Sequence, residues 1–140
     1  MKNVEVGKNV IVSPYTNIYD CILNDDVFIG PFVEIQKGVA IGKGTRISSH
    51  SFICEGVSIG QNCFIAHGVM FTNDKFTEDK EKWILRTTTV GDNVRIGSNA
   101  TILPIKIGNN VVIGAGSVVT NDVPDNSIVM GNPAKIFSRK

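Results

Sequence analysis

"FIGPFVEIQKGVAIGKGTRISSHSFICEGVSIG", residues 28–60, places isoleucine at 29, 35, 41, 47, 53 and 59. The spacing is six, without a miss. An amphipathic helix repeats its apolar residues near 3.6, and a half-buried strand repeats them at two. Six matches neither. The row continues through Ile65 and Phe71 and extends back to Leu23, with Val6, Val12 and Ile18 as an earlier row offset by one. After an interruption, Val90, Ile96 and Ile102 resume it, and a five-residue step over "ILPIK" leads to Ile107, Ile113 and Val119.

A second column follows four residues after each of these positions: Val27, Val33, Val39, Thr45, Ser51, Val57, Cys63 and Val69. These side chains are small or β-branched, as a tight inward corner requires. Short flat strands joined by corners satisfy both columns, three hexads closing one triangular coil. Gly and Asn recur beside the corners ("IGKGT", "IGQNC", "VGDNV", "IGNNV"), where backbone at positive φ is least costly. Stacked coils about 4.8 Å apart pair each strand in parallel with its copies above and below. The expectation is an all-β solenoid, a parallel β-helix of about five to six coils, in a single domain over 1–140. Its extruded loop lies at about 72–89 and its C-terminal extension at about 124–140. An antiparallel sandwich would need varying loops and alternating patterns, which this chain lacks.

Composition narrows the partners. The 140 residues carry 14 Lys and Arg against 13 Asp and Glu, for a net charge of +1. No basic patch points to nucleic acid, and the locally basic tail with Lys135, Arg139 and Lys140 reads first as a solvated terminus. No apolar run of about 18 residues predicts a membrane span, and the first residues lack the apolar stretch of a secretory signal. Three cysteines, Cys21, Cys54 and Cys63, have no metal-ligand spacing and fit a reduced, cytoplasmic setting.

The interruption is the informative segment. "TNDKFTEDKEKWILRTTT", residues 72–89, is too long for a corner and contains the single Trp. Loops of this length in compact domains are usually functional or disordered. Its charges suit a solvated tip, but Phe76, Trp83, Ile84 and Leu85 suit a covered surface. They either pack on their own rod or reach a neighbouring one and wall a cleft.

Coil periodicity then places polar residues. Glu55 and Asn73 are 18 apart, each two places after an inward residue, so they should stack one coil apart with Asp74 alongside. His67 falls on a different corner, above Ser49, and would meet that cleft only across a subunit boundary. Each also has a plain structural reading: Asn73-Asp74 as a turn, Glu55 pairing with Lys37, His67 capping its corner.

The hexads "IGKGTR", "IGQNCF", "IGSNAT" and "IGAGSV" resemble those of the left-handed β-helix acyltransferases, and the ending "GAGSVVTNDVPDNSIVMGNPAK" is similar to the close of their acetyltransferase branch. The resemblance implies a left-handed coil, a homotrimer with sites between rods, and acetyl-CoA as co-substrate. It places pantetheine against Gly97, Ser98, Ala115 and Gly116, with Thr120, Lys135 and Arg139 toward the adenine and phosphate end. Many relatives have Lys where this chain has Asn121, and a six-residue "ILPG" hexad where it steps by five.

"FTND" looks like the branch of nucleotide-sugar 3-N-acetyltransferases that serve surface polysaccharides such as O-antigen. Galactoside and maltose acetyltransferases carry a His and a His-Pro where this chain reads "FTNDKF". The expected reaction is N-acetylation of a nucleotide-linked 3-amino deoxysugar, of the dTDP-3-amino-3,6-dideoxyhexose type, by direct amine attack. Asn73, Asp74 and Glu55 would orient the amine and His67 would assist. The alternatives are a UDP-2-acetamido-3-amino-glucuronate N-acetyltransferase, an O-acetyltransferase using His67 as base, and a non-catalytic β-helix subunit. A γ-type carbonic anhydrase needs three zinc-binding His, and His50 and His67 are the only two, so no metal is expected. Serine acetyltransferases carry a helical N-terminal domain that these residues do not.

Overall fold

The computed structural model describes residues 1–76 and 82–139, with side chains as far as Phe137. Each hexad forms a strand of two or three residues and then a corner. The strands stack into three faces. The first runs from Glu5–Val6 to Lys106–Ile107, the second from Ile11–Val12 upward, and the third from Asn17–Ile18 to Val118–Val119. All pairings along the rod are parallel, and partners are the same hexad position one coil away: Leu23 with Ile41, Ile41 with Ile59, Ile29 with Ile47. Six coils are complete, Ser127–Gly131 opens a seventh on the second face, and the chain is a left-handed parallel β-helix.

Alternation explains why the six-residue beat makes this shape. In each two-residue strand one side chain points out and the next points in. Ile29, Ile35, Ile41, Ile47, Ile53 and Ile65 are fully buried, and Phe71 nearly so. Burying one such side chain stabilises by about 1.5–3 kcal/mol. The second column is buried as well, including its polar members, which are hydrogen-bonded. Thr45 Oγ1 donates to the Gly60 carbonyl at 2.7 Å and accepts from Cys63 N at 3.0 Å. Ser51 Oγ donates to the Ala66 carbonyl at 2.9 Å and accepts from Val69 N at 3.2 Å.

Corners between the first and second faces follow a side-chain ladder. Asp92 Oδ1 accepts from Gln61 N, Asn109 Oδ1 from Asp92 N, and Asp125 Oδ1 from Asn109 N, all within 2.7–2.8 Å. The recurrent Asp and Asn thus cap backbone donors one coil below. The preceding Gly is required by contact: a Cβ on Gly42 would run into the Gly60 carbonyl.

Among the described residues, the Thr88 hydroxyl is the one buried side-chain polar atom without a partner. It occupies the inward column that holds Val39 and Val57 in the coils beneath. An unmet buried hydroxyl costs about 1–3 kcal/mol. Thr88→Val, which keeps shape and β-branching, should therefore raise stability by about 1 kcal/mol. A urea denaturation midpoint that falls or stays put would contradict this.

The loop is inserted without disturbing the stack. Where the loop does not intervene, partners in adjacent coils are 16 to 18 residues apart, as in Ser58 with Ala40; across the loop Ser58 pairs with Thr89, 31 residues on. Strand Thr88–Val90 begins two residues before the excursion was expected to end. At the C-terminus, Ser127–Gly131 continues the second face in parallel, and only Ala134–Arg139 folds back on it antiparallel. Part of the expected extension is therefore solenoid. The short step over "ILPIK" turns Ile105 inward, 5% exposed, and pairing continues with a 17-residue register.

Candidate active site

Two corners carry the sequence candidates. The first lies between the second and third faces. There Gly68 N donates to Ser49 O at 3.0 Å, Asn99 N to His67 O at 2.9 Å, and Gly116 N to Ser98 O at 2.8 Å. Ser49, His67, Ser98 and Ala115 are therefore successive rungs of one column. His67 Nδ1 shares a 2.9 Å hydrogen bond with Ser49 Oγ on an exposed surface. With Nδ1 so engaged, Nε2 is the ring nitrogen left for other partners.

Above His67 the column narrows to backbone. A Cβ on Gly97 would collide with the Ala115 amide nitrogen, and one on Gly114 would come within 3.0 Å of Met130 Cβ, so both glycines serve packing. Gly116 differs. At φ +69° it has nothing within 4 Å of where a Cβ would stand, leaving its backbone bare at the rod surface. Gly97, Ser98, Ala115 and Gly116 thus form one continuous strip. Higher up, Thr120 Oγ1 accepts from Asn121 Nδ2 at 3.3 Å. Lys135 lines a cavity of about 320 Å³ between the last coil and the C-terminal hairpin, with Asn121 and Asp122. The Arg139 side chain lies outside the described residues.

The second corner, between the third and first faces, holds Glu55, Asn73 and Asp74. Asn73 does stack on Glu55: its Nδ2 donates to the Glu55 carbonyl at 3.1 Å. The Glu55 carboxylate faces Lys37 Nζ at 3.8 Å. Asp74 Oδ1 accepts from Phe76 N at 2.8 Å, the turn geometry characteristic of Asp. These three groups sit together at the loop base, and Arg86 N closes that base onto Asn73 O at 3.4 Å. His67 is not with them in this chain.

The apolar loop residues differ in how far they are covered. Leu85 is half-buried and would stand 3.4 Å from a Cβ on Gly56, so it covers its own rod. Phe76 is 87% exposed, Ile84 61% and Trp83 49%. Residues 77–81 of the expected loop lie outside the described residues.

The cysteines are poor nucleophiles. All three are buried and free. Burial pushes the Cys21 and Cys54 thiols up to about 11 and raises Cys63 as well, so at neutral pH they stay protonated. Nothing in this chemistry supports an acyl-cysteine intermediate.

One feature of the first corner escaped the sequence reading. Below His67, the positive-φ position of that column is held by Tyr15, Phe32 and His50, whose rings stack at centroid distances of 5.7 and 5.0 Å. An aromatic three residues after each inward Val12, Ile29 and Ile47 was the available signal.

Residues 20–55 match the bacterial transferase hexapeptide family (six repeats), and residues 87–121 match the hexapeptide repeat of succinyl-transferase. The chain belongs to the hexapeptide-repeat transferase family. It is 39% identical over 128 residues to the bifunctional protein GlmU of Streptococcus suis (strain 98HAH33), a match that covers 90% of this chain and 26% of that protein. The chain spans about a quarter of the length of the curated relatives it matches. Among solved structures, an acetyltransferase of Vibrio cholerae O1 biovar eltor in complex with acetyl-coenzyme A is 26% identical, with a TM-score of 0.70 over 95% of this chain and 69% of that one. The N-acyltransferase AntD of Bacillus cereus, in complex with dTDP and 3-hydroxybutyryl-CoA, has the same fold. Its TM-score is 0.88 at 22% identity, covering 97% of this chain and 82% of AntD.

Proposed function

We propose that the chain moves an acetyl group from acetyl-CoA to the amino group of a nucleotide-linked 3-amino deoxysugar. The observation that carries this is the corner column, in which His67 lies directly beneath the strip of Ser98, Ala115 and Gly116. Pantetheine laid along that strip brings its thioester down to the His67 rung. The acyl-CoA ligands of the V. cholerae enzyme and of AntD support that donor, and the dTDP of AntD supports a nucleotide on the acceptor.

In this reading the amine lone pair attacks the thioester carbonyl, forming the C–N bond as the C–S bond breaks. Coenzyme A leaves as thiolate, and the ammonium formed on nitrogen gives its proton to His67 Nε2 or to that thiolate. The Ser49 hydroxyl fixes the imidazole plane. Three rods side by side would bring the Glu55, Asn73 and Asp74 corner of one copy to the His67 corner of the next. Exposed Phe76, Trp83 and Ile84 would then cover the cleft.

Thiol release from acetyl-CoA, measured against a panel of nucleotide-linked 3-amino and 4-amino sugars with hydroxyl sugars as controls, tests the assignment. Turnover with a 3-amino sugar is expected; turnover with hydroxyl acceptors alone would replace it by O-acetylation. The donor strip has its own test. Ala115→Trp should weaken acetyl-CoA binding about a hundredfold or more, by filling a surface that needs close backbone approach, with the rod still folded by circular dichroism. Unchanged coenzyme affinity would place the donor elsewhere.

A further inference from the structure

The described residues include thirteen non-glycine positions at positive φ, and nine of them are Asn or Asp. That is the expected choice, because a short polar side chain tolerates this backbone and a bulky one does not. Four residues break the pattern: Phe76, at the loop base, and Tyr15, Phe32 and His50, at φ 63°, 60° and 66° in one column. From Gly68 upward the same column returns to small or polar residues, with Asn99 and Gly116. The aromatic rungs therefore stop one coil below His67, and the proposed donor strip begins one coil above it.

The ladder is not core. Tyr15 is 77% exposed and Phe32 54%. The rings lie nearly parallel, 11° and 28° apart in plane, and the offset within the first pair leaves ring faces open. Next to it on the second face, in the same coil as His50, Arg46 holds its guanidinium 4.3 Å above the Phe28 ring. Among the described residues no acid lies within ion-pair distance of Arg46. A backbone penalty accepted three times in one column, an uncovered aromatic stack and a guanidinium held on an outward ring with no acid beside it among the described residues all suit one kind of molecule: a planar base bearing phosphate.

We propose that the Tyr15–Phe32–His50 ladder is the binding platform for the nucleobase of a nucleoside diphosphate, with Arg46 facing the diphosphate. The inference rests on the nucleotide-linked acceptor proposed above and gives that acceptor a direction. The base lies low on the rod, and the sugar climbs the corner to His67, where it meets the thioester descending from Ser98. Stacking reads ring shape and Arg46 reads charge.

The test is calorimetric titration of dTDP, UDP and inorganic pyrophosphate into the full chain, pre-saturated with coenzyme A so that the donor strip is filled. Phe32→Asn and Tyr15→Asn delete a ring while installing the residue that the rod uses at other such corners. Thermal stability should therefore hold or rise. The expected result is dTDP or UDP affinity at least tenfold above that of pyrophosphate in the wild type, falling tenfold or more in Phe32→Asn, with coenzyme A affinity unchanged. Three outcomes overturn the platform: no nucleoside diphosphate binding to the wild type, binding no tighter than pyrophosphate, or binding indifferent to both Asn variants. In the last case, loss of stability and altered sedimentation in the Asn variants would mark the ladder as a packing surface between copies instead. Ladder-dependent dTDP binding without acetyl transfer to any nucleotide sugar would sink the acetyltransferase reading and leave the platform standing. Transfer to a nucleotide sugar with a KM untouched by Phe32→Asn would do the reverse.

Discussion

Replacing His67 with alanine should lower kcat by about two to four orders of magnitude, the range a positioned general base contributes. The KM for acetyl-CoA should barely move. Both expectations come from the corner. His67 is exposed, and its side chain is hydrogen-bonded at the surface to the half-buried Ser49. Removing it therefore opens no cavity and orphans no buried group. Pantetheine would lie on Gly97, Ser98, Ala115 and Gly116, above the substituted rung. Ser49→Ala should give a smaller loss of kcat, because the imidazole remains but its tautomer and plane are released. Asn73→Ala removes the donor to the Glu55 carbonyl and so should loosen the loop base, with a modest fall in turnover. A His67→Ala enzyme of full activity would leave the leaving thiolate as the proton acceptor and return the weight to Glu55, Asn73 and Asp74.

Phe71→Ala should destabilise the fold by about 3–5 kcal/mol, the usual cost of truncating a buried Phe. Phe71 is the largest of the fully buried side chains, 1% exposed, and is paired with Ile102 in the coil above. Its own coil is the one from which the loop departs, so the stack above it relies on this contact for continuity. Phe71→Leu, which keeps most of the volume, should cost less than about 1.5 kcal/mol. Urea denaturation of the two variants separates a cavity effect from a strand effect; equal losses would show that ring packing is not what holds these coils together.

The rod was legible because its code is one-dimensional. An inward Ile at every sixth position and a small residue four places later dictate strand, corner and register together, and Thr45 and Ser51 fit that column because the corner offers them partners. The stacking of Asn73 on Glu55 and of His67 on Ser49 followed from counting alone. What counting cannot supply is the direction in which a polar atom points. Asn73 turns its amide into the rod, and Asp74 binds the next turn of its own chain. The return of the loop at Thr88 was hidden because three consecutive threonines carry no apolar signal. Tyr15, Phe32 and His50 were passed over for a related reason: the hexad position they occupy faces outward, where a search for a core does not look.

The insertion between Phe71 and Thr88 bears on how such a protein can diversify. Val57–Ile59 and Thr88–Val90 meet in the register they would have without it, 31 residues apart instead of 18. Closing the longer span costs only about 0.5 kcal/mol more in chain entropy by the logarithmic law. A frame so indifferent to what leaves it and comes back can exchange this segment for others of different length or chemistry. In the reading proposed above, acceptor preference can then drift by replacement of one surface excursion, while the proposed donor corner and the stacked core stay as they are.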